Sequence, residues 1–527
     1  MPSNPKTTSM RAAALIMAVS VLLSRVIGLL REQFVAWRFG ATSDTDVYLA
    51  AFTLPDFLNY LLAGGALSIT FVPIYAKYLA DKQDEEGQRV FSIIVTFLAL
   101  VLLVGVLAGM LFAEPLLSWY FSAMPKEKLP QLIRLTRIVF PAQLFHVLGA
   151  IVTATLFARG TFTAAAAAPV LYNLAIIAGG ALFGGAVGIE GMAWGVLFGA
   201  LLGPFLIPAW SARKLGLRFS FQFDFSHPGF RTFIKTALPL MIGVSLVTVD
   251  EWIARYLAAG DEGTITQLNY ARKILLVPVG FLAQAGGVAS YPFFAKLFAE
   301  NKREELAQTV IQATRTAVVL SIVVTALVLP LTQPIVSLLF AHGKFTPQDA
   351  AETAPLLFWY MSGLFAWSLQ SLWGRACYAT GDTLRPMLLS TVIVGLSVPG
   401  FMLCYQQWQA PGLAFASTMG ITLQALCLAP LLRRHLPMIS FAPLLDGLWR
   451  SSLAGGVAAL GVYFTNEALP VLLADTGGLS RFLATGLRLG ICGVVFVVLL
   501  LPAAKLLRLS EVESLLQRVT NKLKRRR

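Results

Sequence analysis

Charge is what this sequence has least of. Asp, Glu, Lys and Arg together make up 13% of its 527 residues, against about a quarter in a soluble domain. Acids are the scarcer sign, with 27 Asp and Glu against 41 Lys and Arg, for a formal net charge of +14. Only 4 cysteines occur. Cys377, Cys404, Cys427 and Cys492 all sit in apolar stretches with no CxxC and no metal-ligand spacing, so they read as small core residues rather than a disulfide framework or a zinc site. No G-x-x-x-x-G-K-[ST] run is present, which excludes a P-loop ATPase. Paired carboxylates, a Cys/His cluster or a Ser/His/Asp set do not recur in any loop, so a membrane-embedded transferase has no support and no enzyme is expected. No soluble stretch is large enough to hold a nucleic-acid module, and no nucleic-acid partner is expected.

What the chain has in abundance is hydrophobicity: 57% apolar residues and a mean hydropathy of +0.72. At about 20 residues per span, the segments near 12–36, 46–79, 90–112, 131–158, 163–184, 188–212, 233–259, 268–298, 307–329, 351–379, 385–405, 411–433, 446–466 and 483–507 predict about fourteen transmembrane helices. The fold class is therefore an all-α polytopic membrane protein. The first run follows Lys6 and Arg11, is interrupted by Arg25 and lacks an A-x-A type end, so it reads as a retained helix rather than a cleaved signal. Mid-span residues at Pro55, Gly64-Gly65, Pro141, Pro169, Pro239, Pro278, Gly286-Gly287 and Pro399 predict broken helices, which membranes tolerate where neighbours or cavity water satisfy the backbone. With the N-terminus taken as cytoplasmic, the alternate loops carry Lys77, Lys82, Arg213, Lys214, Arg218, Arg433 and Arg434, while the opposite loops carry fewer bases and more acids. That bias predicts both termini inside and an even number of spans.

The chain also repeats itself. Pro73-Ile74-Tyr75-Ala76-Lys77 matches Pro292-Phe293-Phe294-Ala295-Lys296, and Pro115-Leu116-Leu117-Ser118 matches Pro334-Ile335-Val336-Ser337, both at an offset of 219 residues. Ala158-Arg159-Gly160 and Ala379-Thr380-Gly381, like Gly191-Met192-Ala193 and Gly412-Leu413-Ala414, are offset by 221. Two copies of a six-helix unit starting on the same side make a parallel repeat about the membrane normal. The predicted organisation is an N-terminal lobe (1–218), a linker (219–232), a C-terminal lobe (233–437), two extra helices (438–508) and a basic amphipathic tail (509–527). Two halves around a central cavity make an alternating-access transporter the leading class.

Within the first span, Arg25 and Arg31 stand out, since a charge at the bilayer centre costs on the order of 3 kcal/mol. Six residues correspond to about 600° of helix, so the two differ in direction by roughly 120° and could both border a wide cavity. They read either as an anion site for a substrate head group or as a pair that snorkels or neutralises Glu32 and Asp46. Asp250-Glu251 could bind a cation or pair with Arg255 one turn later. His146 reads as a hydrogen-bonded structural histidine in preference to a proton relay. Phe219, Phe221, Phe223 and Phe225 alternate like an interfacial strand or hook, with an ordinary amphipathic linker the plainer reading. Ser510 with Glu513 has the form of a capping box, and the tail ending Lys522-Leu523-Lys524-Arg525-Arg526-Arg527 reads as a surface helix held by anionic lipid.

The run Arg25-Val-Ile-Gly-Leu-Leu-Arg31, then Phe39-Gly40-Ala41, Thr45-Asp46, Leu54-Pro55 and Phe71-Val72-Pro73-Ile74, resembles the MurJ (MviN) lipid II flippases. The resemblance continues at Ala168-Pro169 through Asn173, at Gly343-Lys344-Phe345-Thr346 with Asp349, and at Tyr378 through Gly381-Asp382-Thr383. It implies the fold of the multidrug/oligosaccharidyl-lipid/polysaccharide exporters and the transport of undecaprenyl-pyrophosphate-linked peptidoglycan precursor from the inner to the outer leaflet of a bacterial inner membrane. It also implies a substrate cavity in which Arg25 and Arg31 are the family's first-helix arginines, Asp46 its second-helix acid and Lys273, beside Arg272, its eighth-helix base. The family's Arg and Glu in the second helix fall on Tyr60 and Gly64-Gly65, and the acids flanking its eighth-helix arginine fall on Arg272 and Leu276. The expectation is a cavity that has lost acids and kept cations.

Asp250 matches the acid of the family's sodium site, but the eleventh span, Ser390 to Tyr405, offers no Asp or Asn, so no sodium or other metal site is expected. The chemistry agrees with a pyrophosphate ligand, for which Arg25, Arg31, Arg272, Lys273 and Arg255 could supply fixed cations. No cofactor is expected, and energy would come from the membrane potential or a monovalent cation. The expected partners are the lipid-linked glycan and anionic membrane lipids, with the protein a monomer. A flippase for another polyprenyl-linked glycan, or a drug or metabolite exporter of the same superfamily, are the alternatives.

Overall fold

The computed structural model describes residues 10–63, 66–242, 246–473 and 481–514. Every regular element among the described residues is helical. This is what apolar runs in lipid dictate, because a helix satisfies its own backbone without water. The chain forms two compact units, Met1–Gly243 with Ala259–Thr266, and Val244–Ala258 with Gln267–Arg527. Seven helical stretches among the described residues are long and apolar enough to cross a membrane, from Asp84–Leu111 to Phe482–Leu506.

The first unit runs α1 (Met10–Phe39), α2 (Ser43–Ala50), α3 (Thr53–Ala63), α4 (Ala66–Ala80), α5 (Asp84–Leu111), α6 (Ala113–Tyr120), α7 (Leu129–Val139), α8 (Ala142–Ala158), α9 (Thr163–Val187), α10 (Glu190–Ala200), a π-helical turn Leu201–Leu206, α11 (Ile207–Lys214) and α12 (Pro228–Ile242). The second runs α13 (Leu246–Leu257), α14 (Thr264–Pro278, whose first turn belongs to the first unit), a π-helical turn Val279–Ala285, α15 (Gly286–Ala299), α16 (Arg303–Val328), α17 (Thr332–Phe340), α18 (Pro347–Ser362), α19 (Leu364–Ala379), α20 (Leu384–His435), α21 (Ala442–Leu473) and α22 (Arg481–Leu506). The internal repeat appears element by element. The long helices α5 and α16 begin 219 residues apart, as do the short helices α6 and α17 that follow them, and α8 and α19 end 221 apart.

Proline breaks some spans and not others. The second span divides before Pro55, the fourth divides at Pro141, and Pro278 opens the π-helical turn of the eighth. Pro169 and Pro399 instead lie inside uninterrupted helices, contrary to expectation; one missing N–H is tolerated when the chain on both sides stays helical. Gly64-Gly65 lies outside the described residues. The expected eleventh and twelfth spans both lie in α20 and are two helices parted at Gln409, where φ is 51° and ψ is −135° and the backbone is not helical.

Two motifs of the family resemblance turn out to start helices. Gly343 takes a φ of 64° and Phe345 is buried. Thr346 then caps α18 reciprocally, with the Asp349 N–H donating to Thr346 Oγ1 at 3.2 Å and the Thr346 N–H donating to Asp349 Oδ2 at 2.6 Å. Gly381, at φ 85°, is followed by Asp382, which accepts the Arg385 N–H at 3.1 Å and faces His435 Nε2 at 2.8 Å. Burial works to raise the Asp382 carboxyl, but these bonds and the Arg385 charge hold it below the ordinary carboxylate value.

Helices α9 and α10 pack closely because Gly191, Gly195, Gly199 and Gly203 recur every fourth residue, a small-residue ribbon of the kind that joins helices in lipid. A Cβ on Gly195 would lie 2.8 Å from the Ala175 carbonyl oxygen.

Between α11 and α12 the chain is extended and lies along α5. The backbone N–H groups of Arg218, Ser220 and Gln222 donate to Gln88 Oε1, Ser92 Oγ and Thr96 Oγ1 at 3.0, 3.3 and 3.3 Å. It then returns, with Asp224 bonded to Arg89 at 3.0 Å and His227 to Glu86 at 2.6 Å. This is the hook rather than the plain amphipathic linker, because the polar stripe of α5 supplies acceptors at matching intervals. Phe219, Phe221, Phe223 and Phe225 point outward and are exposed.

At the other end of the chain the expected cap at Ser510 is not formed. Its hydroxyl is directed to Glu511 at 3.4 Å, and Glu511 is held by Arg315 at 2.6 Å. Leu509 and Val512 anchor this turn in the core of α16, α21 and α22. Residues 515–527, with the basic run, lie outside the described residues.

Candidate substrate-binding site

In the first unit the site is built on α1 and α9. Arg31 Nη2 donates to Glu32 Oε1 at 2.5 Å and Nη1 to Asn173 Oδ1 at 3.1 Å. Asn173 is turned toward the arginine because its own Nδ2 donates back to the Pro169 carbonyl at 2.9 Å. Asn173 was not predicted as a site residue. Its signal was a lone amide in an Ala-rich run, four residues after a proline. Arg31 remains 22% exposed at its side chain while Glu32 is buried, so the guanidinium keeps an open edge. Arg25 lies on the same helix, is exposed, and makes no hydrogen bond or ion pair among the described residues.

Asp46 does not meet Arg31. It is buried, and its Oδ2 accepts the Gly263 N–H at 2.5 Å while Oδ1 accepts the Thr266 N–H at 2.8 Å and its hydroxyl at 2.7 Å. The carboxylate thus satisfies orphan donors at the start of α14. Gly263 adopts φ 78°, and a Cβ there would sit 2.7 Å from the Ala41 carbonyl oxygen, so the loop fits only as glycine. Three of about four acceptor sites of Asp46 are taken by these donors, and Arg31 pairs with Glu32 instead.

In the second unit Arg272 and Asp250 form a buried pair at 3.1 Å, with Ser417 Oγ donating to Asp250 Oδ2 at 2.6 Å. Arg255 is bonded to Glu251 one turn earlier. The expected i,i+4 pair thus exists but takes Glu251, while Asp250 takes Arg272. Lys273, next to Arg272, is partly buried and makes no hydrogen bond or ion pair among the described residues. No group of three metal-ligating side chains occurs among the described residues. His146 stacks edge-on against Tyr172 at 5.0 Å, a packing role.

Acids at other positions pair several of these cations. Glu32, Asp250 and Glu251 neutralise Arg31, Arg272 and Arg255. Among the described residues Arg25 and Lys273 form no ion pair, although Lys273 feels the charge of Glu251, and the structure adds a third cation without an ion pair, Arg375. It lies on α19 against Gly287, where a Cβ would come within 2.7 Å of its Nε, and it makes no ion pair among the described residues. Nothing in the sequence around Arg375 separates it from a snorkelling arginine near a helix end.

Comparison with known proteins points to one family. The sequence profile described as lipid II flippase MurJ matches residues 35–474. A probable lipid II flippase MurJ of Bdellovibrio bacteriovorus is 28% identical over 483 residues, covering 90% of each chain. One from Rhizobium meliloti is 27% identical over 487 residues, covering 90% of this chain and 89% of the relative. Among solved structures, a lipid II flippase MurJ in an inward closed conformation superposes with a TM-score of 0.76 at 21% identity, over 94% of this chain and 99% of the other. An inward-facing multidrug transporter of the MATE family superposes at 0.64 and 14% identity, over 81% and 98%; both likenesses speak to the fold alone. A profile matching most of the chain, over an all-helical membrane fold of the same kind, makes this protein a member of the MurJ lipid II flippase family.

Proposed function

We propose that this chain carries lipid II, the undecaprenyl-pyrophosphate-linked peptidoglycan precursor, from the inner to the outer leaflet of a bacterial inner membrane. The observation that carries the reading is Arg25, a cation in a membrane helix of a MurJ-family chain that forms no ion pair among the described residues, together with Lys273, which feels the charge of Glu251 but is bonded to no acid among them. A cation left unpaired in lipid is costly and is retained where it meets a ligand. A pyrophosphate needs such groups, and Arg31, with one edge open beyond Glu32 and Asn173, adds a planar donor fork. Arg272 and Arg255, already neutralised, serve to position helices α13 and α14 rather than to bind.

In this reading about fourteen spans comprise two repeated six-helix lobes and the added pair α21 and α22, with both termini cytoplasmic. The lobes alternate access to the site, since a ligand favours whichever arrangement it binds more tightly. No cofactor is needed. A bound dianion moving outward across an inside-negative potential gains about 2.3 kcal/mol per charge per 100 mV. The test is complementation of a strain depleted of its own lipid II flippase. Growth with the wild-type chain and none with Arg25→Ala, at equal membrane levels, is the expected result. Good expression of the wild-type chain without growth would overturn the assignment.

A further inference from the structure

In the second unit, lined by none of these residues, an open cavity of about 770 Å³ lies between the turn Leu329–Leu331, the start of α17, and helices α18, α21 and α22. Its wall along α21 is apolar: Leu453, Val457 and Leu460 are each more than half exposed, and the space beside Gly456 is open. One end is polar and carries Asn466, Glu467 and Arg488.

That end is built but incomplete. Asn466 is 5% exposed. Its Nδ2 donates to the Pro330 carbonyl at 3.2 Å, and Arg488 Nη2 donates to the Asn466 backbone oxygen at 2.7 Å. Asn466 Oδ1 and Arg488 Nε, both buried, have no partner among the described residues. Glu467 is exposed and forms no ion pair among the described residues.

The inventory of groups selects the ligand. A guanidinium only donates, whereas an amide oxygen and a carboxylate only accept. The ligand must therefore bring acceptor oxygens for Arg488 and, close by, a donor cation for Asn466 Oδ1 and Glu467. A phosphate or diphosphate alone leaves Asn466 Oδ1 unmet and sets an anion beside Glu467. A quaternary ammonium has no N–H to give. A phosphodiester next to a primary ammonium satisfies all three groups.

We propose that this cavity binds the head group of an amine-bearing phospholipid, with its phosphate on Arg488, its ammonium on Asn466 Oδ1 and Glu467, and an acyl chain along Leu453, Val457 and Leu460. The site is separate from the proposed substrate residues and does not depend on them.

The test is native mass spectrometry of the purified full chain titrated with phosphatidylethanolamine, phosphatidylcholine and phosphatidylglycerol. A charge-assisted contact corresponds to roughly tenfold or more in affinity. Phosphatidylethanolamine should therefore be retained about tenfold better than the other two. Glu467→Gln should erase its advantage over phosphatidylglycerol, and Arg488→Gln should reduce retention of every phospholipid at this site. Equal or better retention of phosphatidylglycerol or phosphatidylcholine by the wild-type chain would overturn the proposal. So would an undiminished preference in Glu467→Gln, an exposed position whose substitution leaves folding intact.

Discussion

Replacing Arg31 by alanine should do two separable things. Glu32 is 4% exposed, and Arg31 is its bonded counter-ion at 2.5 Å. Removing one member of a buried pair costs about 3–5 kcal/mol. The open edge of Arg31 lets water reach the gap, so the lower end, about 3 kcal/mol, is expected. Adding Glu32→Gln removes the stranded charge and should return most of that stability. Transport should not return, because the lost donor fork also served the pyrophosphate, and one charge-assisted contact corresponds to a ten- to hundred-fold loss of binding. The assays are thermal unfolding of the purified protein in nanodiscs, and growth of a flippase-depleted strain carrying each variant at matched membrane levels. Restored growth in Arg31→Ala/Glu32→Gln would refute the substrate role and leave Arg31 a counter-ion only. The same design with Asp46→Asn should show additive effects on stability, within about 0.5 kcal/mol, since the two side chains share no partner.

Arg25→Ala should leave the unfolding temperature unchanged, because the side chain is exposed and unpaired, yet abolish complementation; a drop in stability equal to that of Arg31→Ala would contradict this. Gly195→Val should lower the thermal stability of the whole chain, since even a Cβ there meets the Ala175 carbonyl at 2.8 Å and α10 must move away from α9; melting of the purified variant reads this directly. The contribution of Asp382 has its sign fixed by its depressed carboxyl value. It is fully present above the ordinary carboxylate value and is lost as pH falls through the lower folded-state value. Asp382→Asn should therefore flatten the acid limb of the stability profile, with His435 and Arg385 as the charged groups facing it.

The helical class and the repeat offset were legible because each is written in composition and period, and α5 and α16 start where the offset places them. Partner choice was not legible. Arg31 had Glu32 beside it and Asp46 farther along, and only the fold shows that Asp46 is consumed by the Gly263 and Thr266 donors. Asp250 and Arg272 are 22 residues apart on successive helices, a distance no helical periodicity reports. Asn173 was inside a quoted motif without a role, because a lone amide signals a partner but not which one. Arg375 gave no signal at all, since its setting is made by Gly287 on another helix.

The extended arm beside α5 works as a vernier. A helix repeats a facing side chain every four residues, about 6.0 Å, and an extended chain repeats a facing N–H every two, about 6.6 Å. The scales slip by about 0.6 Å per rung, so they can agree only over a short length. Three rungs are used, at Gln88, Ser92 and Thr96. The fourth mark on the helix is Leu100, which has no acceptor, and there the arm turns back. The reach of the arm is thus written in α5, not in the arm itself. Inserting a single residue ahead of Arg218 would change the parity of every later position, swing the four phenylalanines toward the polar stripe and expose the N–H groups, whereas inserting two would slide the arm by one mark and keep its faces.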